Sequence, residues 1–449
     1  MPLPKNNIKI LHKSATELLE EGDELATPWA HLGQRWGHPW HAMCSYLGTF
    51  PAALSRSMIS LLSRPGERVM DPFSGRGTTL LEARLSGRHA LVSDLNPMAV
   101  ALSHAKNAEV TLERALAEID LLKSTYDRLM HLPEAQVQPD NILLIYSPET
   151  LAQLCYLRRK LVKSSSDVRA FLLGALLGVM HGAERTDGTS AYASISMPNT
   201  FSMSPNYVRR FVETNQLTRA GRDVFEILAA KVERIFKDAS VLGLKGVVVP
   251  CDAKKLSECP ELAEYLGTVK LVVTSPPYLG VINYAKQNWI RNWLLQKASY
   301  YGMEVDLDDD LTLGAWLDFV EVVIDELKKF LTPDGVVVLV IGDVAKANKS
   351  HLNLARHLIQ RLEHDKVFSY IGAFDDRMGH EIKTTRIWKD TKGKATSVDR
   401  ILVLANRTPV FNVPALIEDL AVGVDNTASL RNINAETLAA QARVMAGTK

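Results

Sequence analysis

The residues best suited to chemistry stand in two short runs. Thr274-Ser275-Pro276-Pro277-Tyr278 follows a β-branched stretch, Lys270 to Thr274, that reads as a buried strand. Two consecutive prolines fix φ and remove two backbone donors, so the turn presents carbonyls without competing N–H groups. That suits chemistry on an exocyclic aromatic amine, whose lone pair is delocalised into its ring. A Ser275 hydroxyl and a Pro276 carbonyl that both accept from the NH2 group draw it toward tetrahedral geometry. The localised lone pair can then attack an electrophile in line, with positioning supplying much of the acceleration. Tyr278 can stack on a base turned out of a duplex, where a paired amino group is otherwise out of reach. A rigid loop without chemistry can use the same residues; the position at the end of a strand, where open α/β sheets bind ligands, favours the functional reading.

The second run, Asp71-Pro-Phe-Ser-Gly75-Arg-Gly77-Thr-Thr79, joins a short strand, Arg68 to Asp71, to a helix from Thr78 through Leu85. Two glycines one residue apart let backbone come close to a ligand. A dinucleotide fingerprint needs a third glycine at position 80, which is Leu80, and the turn lacks the lysine of a P-loop. A ligand with a cationic amino-acid end and no phosphates fits. Asp71 can accept from an ammonium group, a charge-assisted contact. Asp94, 17 residues past Gly77 at the end of the next strand, is placed to accept from both ribose hydroxyls. Asp252, after a third strand, can accept from an adenine amino group while the Ala253 amide donates to the ring. Adenosine joined to methionine satisfies all three, and its sulfonium methyl is the electrophile that the Ser275–Tyr278 turn needs.

These runs require a sheet to hold them. Short β-branched stretches followed by helical patterns recur along the chain, the signature of a parallel sheet with crossover helices. Strands are predicted at 68–71, 90–94, 246–250, 270–274 and 335–341, with a closing pair at 367–374 and 399–405. Between the second and third strands, helical spacing over 112–132, 148–162, 168–180 and 215–236 predicts a helical insertion, too long for a loop. Within it, 181–210 reads as a polar, irregular piece. The chain therefore divides into 1–106 (N-terminal segment and cofactor half of the sheet), 107–245 (helical insertion), 246–407 (catalytic half) and a tail, 408–449, with no readable pattern.

The combination of DPFSGRGTT (71–79), Asp94 in SDLNP, Asp252 in VPCDA and TSPPY (274–278) resembles the S-adenosylmethionine-dependent DNA amino-methyltransferases, the N4-cytosine/N6-adenine family. The resemblance covers roughly 45–106 and 246–345 and implies an α/β fold. It is the class I methyltransferase (Rossmann-like) sheet, seven-stranded and mostly parallel with an antiparallel last strand, here carrying the large helical insertion. It implies S-adenosylmethionine as methyl donor. Ser45-Tyr-Leu-Gly-Thr-Phe-Pro51 is similar to the family's pre-strand motif, which implies that Tyr46 and Phe50 close over the methionine end. Pro72, Phe73, Ser74, Thr78, Leu95 and Thr274 complete the implied cofactor set. Serine at the head of the acceptor turn goes in that family with cytosine N4, whereas Asp or Asn goes with adenine N6. Adenine N6 methylation of DNA is the nearest alternative, followed by RNA guanine-N2 methylation and a catalytically inactive DNA-binding module. The implied partner is double-stranded DNA, with room for a cognate restriction or defence partner. Unlike many members, the chain carries its large insertion before the third strand, so target recognition is assigned to 107–245 with help from 377–394.

Bulk properties are compatible with this reading. The 449 residues carry a formal net charge of +1, so global charge does not announce a nucleic-acid binder. Residues 151–240, however, hold 13 Lys/Arg against 8 acidic residues, and 377–394 hold six against two. Arg209, Arg210, Lys383 and Arg386 are the candidate phosphate contacts. No apolar run approaches the roughly 20 residues of a membrane span, and the start lacks a signal peptide, so a cytoplasmic, nucleoid-associated protein is expected. The four cysteines are scattered without metal-site spacing, and no metal is expected. Trp29, Trp36 and Trp40, interleaved with His31, His38 and His41, read as an ordered N-terminal segment. Trp289 and Trp293 read as core, and Asn283 and Tyr284 as residues that either touch the base or pack.

Overall fold

The computed structural model describes residues 37–197, 203–236, 243–277, 288–295, 311–345, 351–377, 386–388, 391–392, 398–412 and 415–416. In chain order, helix α1 (Ala52–Leu62) leads to strand β1 (Arg68–Asp71), helix α2 (Thr78–Leu85), strand β2 (His89–Asp94) and helix α3 (Pro97–Asn107). Six longer helices follow: α4 (Leu112–Ser124), α5 (Arg128–Gln136), α6 (Pro148–Leu161), α7 (Asp167–Leu177), α8 (Pro205–Thr214) and α9 (Val224–Phe236). The chain then returns to the sheet through β3 (Val247–Pro250), β4 (Val269–Thr274), α10 (Trp289–Leu295), α11 (Leu313–Phe330), β5 (Leu331–Gly342), α12 (Leu354–His364), β6 (Tyr370–Arg377) and β7 (Val398–Ala405).

The seven strands form one sheet in the order β3-β2-β1-β4-β5-β7-β6. All neighbours are parallel except β7, which runs antiparallel to both β5 and β6. This is the expected class I methyltransferase sheet. The order reverses between β1 and β4, so the carboxyl ends of those strands diverge into a crevice at the switch point. Asp71 ends β1 and Thr274 ends β4, which delivers both predicted runs to the same crevice.

Alternation along the strands divides the core in two. Val92 and Val273 face α1 and α2 with Leu54 and Leu80, whereas Leu91 and Val272 face α11 and α12 with Trp316, Leu327 and Leu358. A third cluster joins α3 and Met43 to the helices of the insertion without a break. The junction is tight. A Cβ on Gly174 would sit 2.4 Å from Ala105 Cβ, and one on Gly178 would sit 1.9 Å from the Met43 carbonyl oxygen. Helix α7 therefore holds the segment carrying Tyr46 against the sheet.

Three elements of the insertion differ from the sequence reading, the first being the predicted helix 215–236, which begins only at Val224 because Asn215 ends the helix before it. The predicted helix 112–132 breaks at Thr125, and a new helix starts where the Asp127 side chain accepts from Leu129 N and Met130 N. The stretch 181–210 is not irregular to its end, because Ser204 caps α8 by accepting from Tyr207 N with Pro205 at the first position. Among the described residues, no helix is long and apolar enough to cross a membrane.

Candidate active site

A cleft opens to solvent at the switch point. Tyr46, Phe50, Asp71, Pro72, Phe73, Ser74, Gly75, Thr78, Asp94, Leu95, Asp252, Ala253, Ser275 and Pro277 line it. Gly77, Thr274 and Pro276 are not on its wall. Tyr278, Asn283, Tyr284, Lys383, Trp29, Trp36 and His31 lie outside the described residues.

Asp71 is almost fully buried, and its Oδ1 accepts from the Thr274 hydroxyl at 2.6 Å and from Phe73 N at 3.1 Å. Burial pushes its carboxyl up to about 6 against those two donors. Asp94 accepts from Gly75 N at 2.9 Å through Oδ2 and from Asn96 N at 2.8 Å through Oδ1. Burial raises it to about 7, with the charge of Asp71 adding to the rise and the amides opposing it. Two carboxylates whose ionisation the cleft disfavours are matched to a ligand that brings positive charge and hydroxyl donors.

Asp252 and Ala253 are held differently. Asp252 caps the 3-10 turn Ala253–Glu258, accepting from Lys254 N at 2.9 Å through Oδ1. Its Oδ2 is 3.9 Å from Lys254 Nζ. Phe319 of α11, which sequence reading missed, completes this wall 5.8 Å from the Phe73 ring. Gly48, Thr49, Arg76 and Asn96 also line the cleft without having been singled out. The Tyr46 hydroxyl accepts from Asn96 Nδ2 at 2.9 Å, and this bond sets the tyrosine over the Gly75 turn. Pairings of this kind join residues far apart in the chain, and local spacing does not encode them.

Both glycines of the turn have positive φ, +50° at Gly75 and +72° at Gly77. They differ in what surrounds them. A Cβ on Gly75 would meet the Tyr46 ring at 3.5 Å, whereas one on Gly77 would face the protein, 3.2 Å from Ser103 Oγ. Gly77 thus serves the packing of the turn on α3 rather than close approach to a ligand. Beneath the turn lies a buried ion cluster. Glu82, fully inaccessible, pairs with Arg56 Nε at 2.6 Å and His41 Nε2 at 2.5 Å. Burial holds His41 down at about 3, so the neutral ring donates from Nε2. Burial works to raise Glu82, but Arg56 and His41 outweigh it and hold the carboxyl at about 2.

The run Thr274–Pro277 enters from the opposite lip. Ser275 Oγ is buried and has no hydrogen-bond partner among the described residues. Leaving a hydroxyl so costs about 1–3 kcal/mol, a cost that a polar ligand in the cleft would relieve. The Pro277 carbonyl is already taken, accepting from the Trp316 indole at 2.9 Å. Trp293 is buried, as its core reading expects, whereas Trp40 of the N-terminal segment packs on Phe171 and Phe236 of the insertion helices rather than on the sheet. Trp289 donates to the Met203 carbonyl at 2.7 Å, linking the chain just past the acceptor run to the start of α8. Arg209 and Arg210 stand exposed on α8, and Arg386 lies in the short strand Arg386–Trp388.

No sequence among the curated proteins matches the chain. Among solved structures it is similar to the rRNA methyltransferase AviRa from Streptomyces viridochromogenes, at 12% identity over 88% of this chain and 99% of that one, with a TM-score of 0.30. It is also similar to an rRNA methylase from Streptococcus thermophilus, at 6% identity over 80% and 99% of the two chains, with a TM-score of 0.28. A family model described as DNA methylase matches residues 6–105 and 269–412. Those two segments are more than half of the chain and contain both runs that meet in the cleft, so the protein belongs to the N6/N4 DNA methylase family.

Proposed function

We propose that the protein transfers a methyl group from S-adenosylmethionine to the N4 amino group of cytosine in DNA, on a base turned out of the duplex. The observation that carries this reading is the buried Ser275 hydroxyl, without a hydrogen-bond partner among the described residues, in the same cleft as Asp71 and Asp94. When bound, S-adenosylmethionine supplies an electrophilic methyl on a sulfonium centre. The cleft fits it: two carboxylates raised by burial face a cation and a ribose, and aromatic walls take the apolar parts.

In this reading Asp71 accepts from the ammonium end and Asp94 from the ribose hydroxyls. Tyr46 and Phe50 close over the methionine end. Asp252 keeps Oδ2 for the adenine amino group, beside the Ala253 amide. Ser275 Oγ and the Pro276 carbonyl accept from the target NH2 group and hold its lone pair toward the methyl; Tyr278 stacks on the base. A serine hydroxyl can also donate, which suits an acceptor on the cytosine ring. Target recognition falls to the 107–245 insertion, with Arg209 and Arg210 on phosphates. Alanine at both positions is expected to weaken DNA binding and flatten its salt dependence, and an unchanged salt slope would remove them from the interface.

The test is chemical. Unmethylated DNA is incubated with the protein and methyl-labelled S-adenosylmethionine, then digested to nucleosides. Label in N4-methyldeoxycytidine is expected. Label in N6-methyldeoxyadenosine would keep the mechanism and change the base, whereas no label in DNA would end the proposal.

A further inference from the structure

Two prolines deprive the acceptor run of the amide donors with which a turn normally holds itself in place. Something outside the run must fix it, and the described contacts include one such donor. The Trp316 indole, on the first turn of α11 and 1% exposed, gives its N–H to the Pro277 carbonyl at 2.9 Å. Helix α11 is well fixed to do this. Thr312 caps it by accepting from Ala315 N, and Val320, Val323, Ile324 and Leu327 bury its face on the sheet. One turn further on, Phe319 of the same helix reaches the cleft wall beside Phe73. The helix thus sets the height of the acceptor run relative to the cofactor wall.

We propose that Trp316 is a positioning residue for methyl transfer, holding the Pro277 carbonyl so that Ser275 and the Pro276 carbonyl stay aimed at the amino group. This rests on the proposed reading of that site as a base-methylating one. Trp316 touches neither substrate in this assignment; it acts through the Pro277 carbonyl. In-line transfer is sensitive to such placement, because small misplacements of a reacting group lower the rate by large factors.

The test compares wild type with Trp316→Phe and with Trp316 replaced by benzothienylalanine, which keeps the bicyclic shape but has sulfur in place of N–H. 5-Fluorotryptophan, which keeps the donor, serves as the rescue. Single-turnover methyl transfer to unmethylated DNA is expected to fall roughly tenfold or more in both donorless variants and to recover with fluorotryptophan, as loss of one hydrogen bond implies. Affinity for S-adenosylmethionine is expected to stay within about twofold, since Trp316 itself does not line the cleft. Equal rates in all four proteins would overturn the proposal, as would parallel losses of cofactor affinity and rate, which mark a packing role. A wild-type protein that transfers no methyl to DNA would instead sink the proposed function. The bond itself is then still read by NMR, from a slowly exchanging, downfield Nε1 proton of Trp316; a fast-exchanging one would remove the anchor.

Discussion

The Thr274 hydroxyl donates to Asp71 Oδ1 across 2.6 Å, although 203 positions separate the two residues in the chain. The bond ties the last residue of β4, from which the Ser275–Pro277 run departs, to the last residue of β1, from which the Gly75–Gly77 turn departs. Replacing Thr274 with valine keeps the shape and removes the donor. Asp71 then has one partner fewer to favour its ionised form, so its carboxyl rises further. Affinity for S-adenosylmethionine is expected to fall about tenfold, in keeping with roughly 1.5 kcal/mol for a hydrogen bond to a charged group. Calorimetry of the Thr274→Val variant measures this directly.

Cofactor affinity should depend on pH in a definite direction. In the ligand-free protein Asp94 titrates at about 7 and Asp71 at about 6, both raised first by burial. A ligand that brings an ammonium group and ribose hydroxyls favours the ionised forms. Binding is therefore expected to be strongest above pH 7 and to weaken on acidification, by about tenfold over the first unit below Asp94. Calorimetry near pH 6 in buffers of different ionisation enthalpy is expected to show net proton release on binding. Proton uptake would contradict the assignment of either carboxylate.

Glu82 carries the support beneath the turn. Its removal leaves Arg56 buried without its counter-charge, a change that costs about 3 kcal/mol or more. Glu82→Gln is expected to lower stability by that order in chemical denaturation at neutral pH. The folded carboxyl sits at about 2, below its ordinary value of 4.5. Its contribution is accordingly complete above pH 4.5 and lost as pH falls toward 2. The gap between variant and wild type should narrow over that range.

How much of this could be read from the sequence depended on the range of the signal. Strand β1 and helix α2 have the boundaries that the sequence predicts, because hydrophobic period and the glycine turn are local. The carboxyl tips at Asp71, Asp94 and Asp252 converge because a parallel sheet with crossovers aligns them at one edge. What local patterns do not carry is who holds whom. Trp316 lies 39 positions after Pro277, and His41 lies 41 positions before Glu82. Gly77 reads as a ligand-facing glycine in sequence and is a packing glycine in the fold. Helix α8 was hidden because its cap, Ser204-Pro205, sits inside a polar run that masks the change of period.

The central claim is that the buried Ser275 hydroxyl, which has no partner among the described residues, receives the amino group that is methylated. Ser275→Ala tests it with one paired measurement, single-turnover methyl transfer to DNA alongside S-adenosylmethionine affinity. Loss of a preorganised polar contact at the reacting centre predicts a rate lower by about a hundredfold, with cofactor affinity within about twofold of wild type. A variant that methylates DNA at the wild-type rate would contradict the account.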